Sequence, residues 1–117
     1  MVAIDTFRTI ALSFSETVEL PHFEKTSFRV HKKIFATLDI ARAQACVKLS
    51  VIDQDVFSSF NRDVVFPVPN KWGRQGWTFI NLNEVEQDLL ADALVTAYSG
   101  VAPKSLSKGL QDQDNTR

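Results

Sequence analysis

Cysteine is almost missing from this chain: Cys46 is the single one in 117 residues. An internal disulfide needs two thiols and a multi-cysteine zinc site needs more, so both are excluded. Histidine is scarce as well, with His22 and His31 alone. No metal site and no cofactor is therefore expected. Glycine and proline number four each, and no Walker-type phosphate loop, repeat or low-complexity tract occurs. No run approaches the roughly 20 apolar residues that span a bilayer. Positions 1–15 set Asp5 and Arg8 among short apolar clusters, unlike a secretory leader. A cytoplasmic protein without membrane contact is the expectation.

Net charge is also small, at −1, which removes any global attraction to nucleic acid or membrane. The distribution is uneven. Residues 25–74 hold nine Lys/Arg against four acids, whereas residues 1–24 and 75–117 each carry −3. Acidic ends flank a basic middle. Mutual neutralisation of helices and sheet is one explanation; a surface for an anionic partner is the other.

What the chain does have is apolar content. It is 44% hydrophobic, with nine phenylalanines, enough for one core without crosslinks. Ile4, Phe7, Ile10 and Ala11 recur at helical spacing and predict a helix over 2–13. Pro21 favours extended chain before it. Strands are expected over 26–30, 34–39 and 45–49, joined as an antiparallel meander. The first turn, around His31–Lys33, lacks the glycine that two-residue hairpins prefer. The register of Phe28, Ile34 and Phe35 is therefore open. Ser50 predicts an N-cap, followed by a short helix with Ile52, Val56, Phe57 and Phe60 on its apolar face. Strands are expected again at 64–67 and 77–82. Asn83 and Glu86 read as a capping box for a last helix ending near Gly100.

The expected architecture is α+β: a two-layer sandwich with an antiparallel sheet of about five strands and helices on one face. Its element order is α-β-β-β-α-β-β-α. Residues 1–106 are expected to form one domain, and 107–117 a flexible tail.

The densest stretch is FPVPNKWGRQGWT at 66–78, holding both tryptophans, two prolines and two glycines. Trp72 and Trp77 can stack on bases, with Lys71 and Arg74 holding phosphate, the combination a single-strand binder uses. Equally, Trp77 opens an apolar strand and reads as core, with Trp72 packing the loop down. Arg29, Lys32, Lys33 and Lys48 extend the candidate basic strip across the meander. Solvated strand faces carry such residues too. Cys46 alternates with Val47 and reads as a packing residue, His22 has no ligand companion, and no nucleophile elbow occurs.

Four segments resemble the MmcQ/YjbR family of small bacterial proteins. They are PHFEKTSFRVHKKIFATL (21–38), CVKLS (46–50), FPVPNKWGRQGWTFINL (66–82) and AYSGVAPKSL (97–106). The resemblance implies a frataxin-like or secretion-chaperone-like sandwich. Members are often labelled DNA-binding, and no reaction transfers. Lys32 stands where the family usually has glycine. The resulting expectation is a non-enzymatic binding module, monomeric or weakly dimeric. It would engage DNA or another anionic partner through Arg29, Lys32, Lys33, Lys48, Lys71, Trp72 and Arg74. The alternative is a protein–protein adaptor or chaperone-like module with no nucleic-acid role. The two separate on whether the open sheet face is cationic or apolar.

Overall fold

The computed structural model describes residues 1–107. The expected tail at 107–117 lies outside these, apart from its first residue. A helix, α1 (Ile4–Leu12), precedes a meander of β1 (Thr17–His22), β2 (Lys25–Val30), β3 (Lys33–Asp39) and β4 (Gln44–Lys48). Then come α2 (Val51–Ser58), β5 (Val65–Pro67), a single helical turn α3 (Lys71–Arg74), β6 (Trp77–Asn81) and α4 (Gln87–Val101). All pairings are antiparallel, and the strand order is β1-β2-β3-β4-β6-β5. β6 thus inserts between β4 and β5, which run parallel to each other with α2 as their crossover. The fold is α+β, with an open sheet.

The sheet has six strands where about five were expected. The added one is β1, whose apolar residues point away from the helices. Val18 and Leu20 pair with Arg29 and Ser27, while Glu19 pairs with the core residue Phe28. Such inverted alternation reads as polar chain. Glu19 is held on the helix side by the Arg8 guanidinium at 3.0 Å. Pro21 fits because β1 is an edge strand, where a missing N–H costs no ladder bond.

Apolar residues on one face of the sheet meet α1 and α4. Phe7 packs edge-on against Phe28 at 5.4 Å, and Phe35 against Tyr98 at 5.6 Å. Phe14 lies against both Phe35 and Tyr98. All five rings are buried, and burying each contributes about 1.5–3 kcal/mol. The Tyr98 hydroxyl donates to the Ser15 carbonyl at 2.8 Å, so its polar tip is satisfied. A bulge settles the register that the sequence left open. Phe28 pairs with Ala36 and Arg29 with Ile34, which leaves Phe35 as the additional residue on β3. Phe35 and Ala36 are both buried, and Ile34 turns to the open face.

Several expectations are corrected at helix ends and faces. Ser50 caps α2 as predicted, accepting from the Asp53 amide at 3.0 Å. Of the expected apolar face of that helix, Phe57 packs against the core, but Ile52, Val56 and Phe60 are exposed, and Gln54 and Ser58 are buried. Helix α4 starts at Gln87, with Glu86 at the N-cap and no side-chain cap bond. Asn83 instead lies in the turn whose amides bond back to Asn81. Gly100 is inside α4, which runs to Val101 and ends on extended Ala102. After Pro103, a last turn packs Leu106 against the core.

The β2–β3 hairpin turns on two residues, His31 and Lys32, flanked by the Val30–Lys33 pair. Both have positive φ, 48° and 71°, the type I′ geometry that suits glycine. Lys32→Gly should stabilise the fold by about 0.5–1 kcal/mol in urea unfolding. An unchanged or lower midpoint contradicts this account of the turn.

Candidate functional site

Directly paired residues of an antiparallel sheet share a face. One row crosses all six strands on the face away from the helices: Leu20, Ser27, Thr37, Cys46, Phe79 and Phe66. Above it lies a groove of about 440 Å³ with a mainly apolar lining. Ile34, Thr37, Cys46 and Phe79 form its floor, Val68, Trp72 and Trp77 stand at one end, and His22 and Lys25 at the other. This volume falls within the range of small-ligand sites.

The tryptophan end is built by the loop between β5 and β6. Asn70 caps α3, its side-chain oxygen accepting from the Trp72 amide at 2.9 Å. Gly73 and Gly76 are required by close approach. A Cβ on Gly73 would sit 1.8 Å from the Val68 carbonyl oxygen, and one on Gly76 1.7 Å from that of Leu49. Gly76 also has φ +105°. The buried Gln54 amide donates from α2 to the Gly73 and Trp77 carbonyls at 2.9 and 3.1 Å. It also reaches the Thr78 hydroxyl at 3.2 Å, and that hydroxyl donates to the Gly76 carbonyl at 3.0 Å. Thr78 and Ile80 consequently face the helices, and Trp77 and Phe79 face the groove. Trp77, expected as core, is half-buried on the open face because the strand's inward phase belongs to Thr78.

Trp72 is 48% exposed. The Lys71 ammonium stands 5.5 Å from its ring centroid, a weak cation–π contact at an exposed site. Lys48 lies opposite Trp77 on the open face and donates to the Gln75 carbonyl at 2.5 Å. Its charge thus also fastens the loop. Arg29 is on the same face, with its Nε donating to Ser27 Oγ at 2.8 Å. Lys32 sits in the hairpin turn, and Lys33 pairs with the inward-facing Val30. Lys71 and Arg74 are exposed on α3.

Strand direction places all seven predicted residues at one end of the sheet. That end holds the β2–β3 turn, the end of β4 and the loop entering β6. They do not share one face: Arg29 and Lys48 lie on the open side and Trp72 borders its groove, whereas Lys33 pairs with the inward-facing Val30. The salt bridges among the described residues are Arg8–Glu19, His31–Glu16, Arg42–Asp39 and Arg62–Asp55. None engages the six predicted cations.

Sequence reasoning missed His22, Lys25, Ile34, Thr37, Cys46, Val68 and Phe79 as groove residues. The alternation of Thr37 and Cys46 between buried neighbours was a usable signal. The approach of Val68 and His22 from distant segments left none. Cys46 lies in the groove floor, yet burial pushes its thiol up to about 11 against a smaller opposing effect of Lys25. It is therefore neutral below about pH 10 and unsuited to nucleophilic chemistry near neutrality.

An open antiparallel sheet with helices on one face and an aromatic groove on the other defines a small α+β sandwich. A model of the YjbR family matches residues 12–99, and the chain belongs to that family. The fold is similar to that in a crystal structure of Deinococcus radiodurans protein DR2400, described with a DUF419 domain. The TM-score is 0.76 and identity 21%, over 95% of this chain and 89% of that one. Among curated proteins, none matches. Among the described residues, no helix is long and apolar enough to cross a membrane.

Gly73→Ala or Gly76→Ala should lower stability by roughly 2–4 kcal/mol, measured by chemical unfolding, because backbone must move to admit the methyl. At pH 8 Cys46 should react with iodoacetamide at least about tenfold more slowly than free cysteine, accelerating toward pH 11. Equal rates at pH 8 contradict the neutral thiol.

Proposed function

We propose that this protein is a non-enzymatic binding module whose groove takes an extended, anionic and aromatic partner, with single-stranded nucleic acid as the best-fitting class. One observation carries the reading: half-exposed Trp72, with Lys71 against its ring, lines an apolar groove ending at Trp77. A base stacked there gains about 1–3 kcal/mol and needs no particular identity. Lys71, Arg74 and Lys48 are at that end for phosphate, and Lys25 is at the other. The groove floor offers few polar atoms, so sequence-tolerant stacking is expected instead of base-edge readout.

A second reading is favoured by that same apolar floor: a protein–protein adaptor holding a peptide with aromatic and acidic side chains. Salt response and strand content separate the two. A single-stranded ligand that releases counterions gives a log–log salt slope of about −0.7 per phosphate contacted.

Titration of tryptophan fluorescence with a 12-nucleotide oligothymidylate at 50 mM salt should show quenching and saturable binding. Trp72→Ala should weaken it about 5- to 100-fold. Lys71→Ala and Arg74→Ala should each reduce the salt slope by about 0.7. Absence of binding at tens of micromolar protein eliminates the nucleic-acid reading.

A further inference from the structure

The β1–β2 hairpin stands at the end of the groove opposite Trp72. His22 pairs with Lys25, so Phe23 and Glu24 form its two-residue loop. Phe23 has a φ of 58° and is 95% exposed. A positive φ in such a loop favours glycine, and a bulky side chain is strained by it. The ring gains almost no burial to offset that strain. It rests edge-on against His22, with ring centroids 5.0 Å apart, and His22 lines the groove. Exposed side chains held in strained loops beside a groove are a feature of ligand clamps.

We propose that Phe23 is a second base-stacking platform, so that the groove grips a single strand at both ends, on Phe23 and on Trp72. This rests on the groove being a single-strand site, and adds where the strand is held and over what length. The two ends are alike. Each sets an exposed aromatic ring near a lysine, Phe23 with Lys25 and Trp72 with Lys71. Lys25 lines the groove, and its charge is felt at Cys46 in the floor. Of the nearby acids, Asp39 is paired with Arg42 at 3.8 Å. Glu24 is exposed in the loop and is not a lining residue. One lysine serves phosphate at this end, so stacking on Phe23 carries most of the grip there.

The sheet register gives the span. Following the pairings from His22 across β2, β3 and β4 leads to Asn81 of β6, four residues from Trp77. Four strand spacings across the sheet and four residues along it separate the ends by on the order of 20–25 Å. A stacked strand advances about 3.4 Å per nucleotide, so about seven nucleotides bridge the two platforms, and fewer when bases splay apart. That length is within the usual range of single-strand sites.

The test uses the full chain, with oligothymidylates as probes and tryptophan fluorescence as the signal, since both tryptophans remain in every Phe23 variant. Phe23→Ala should weaken binding of the 12-nucleotide probe about 5- to 100-fold, and Phe23→Trp should stay within about twofold of the wild type. Phe23→Gly should weaken binding as Phe23→Ala does, while its melting temperature rises by about 2–5 °C through relief of the loop strain. A merely structural role moves stability and binding in the same direction, so opposite signs identify a ligand contact. Wild-type affinity should climb with probe length up to about seven nucleotides and then level off; in Phe23→Ala the climb should stop earlier. Unchanged affinity and length dependence in Phe23→Ala, with Trp72→Ala still impaired, overturn the second platform and leave the tryptophan end standing. Binding in Phe23→Gly equal to the wild type does the same. No binding of any probe by the wild type removes the single-strand reading and this proposal with it.

Discussion

The Gln54 side chain is buried where α2, the tryptophan loop and β6 converge, and its amide meets three acceptors there. A buried amide left without partners costs about 1–3 kcal/mol, so this arrangement is strongly preferred over neighbouring ones. It sets which face of β6 looks inward. Thr78 takes the helix side, and Trp77 is turned outward. Gly73 and Gly76 make the same demand from the backbone side, since both glycines press against carbonyl oxygens of neighbouring segments. The groove exists because these requirements agree.

One-sided covering of the sheet is the larger consequence. The aromatic cluster of Phe7, Phe14, Phe28, Phe35 and Tyr98 ties α1 and α4 to the same face. The opposite face keeps Ile34, Thr37, Cys46 and Phe79 without a helix above them. The cations differ in how they are held. Lys48 and Arg29 donate to acceptors within the chain, while Lys71 and Arg74 project from a helix of one turn. With Lys32 and Lys33 of the hairpin they make a basic end of the sheet in place of the expected basic face.

Much of the architecture was legible in the residues. The meander, the Ser50 cap and the two strands around the tryptophan loop follow from alternation and from local hydrogen-bonding chemistry. Strand β1 was hidden because Val18 and Leu20 face away from the core, so its apolar residues occupy the phase that usually carries polar ones. The inward face of α2 was legible only at Phe57, for a related reason. Its buried positions are Gln54 and Ser58, and a buried polar side chain is identified by its partners, which lie 19 to 24 residues away for Gln54.

The α+β class, the basic middle and the glycine-dependent loop could be read from the residues alone, because these depend on residue type and near-neighbour spacing. The packing of the elements was needed to show that Trp77 lines a groove, that six cations share an end and not a face, and that Ile52 of α2 and Phe60 just beyond it turn to solvent. Each of these depends on the phase of one element against another. Phase is set by contacts such as Gln54 with Gly73, between segments far apart along the chain.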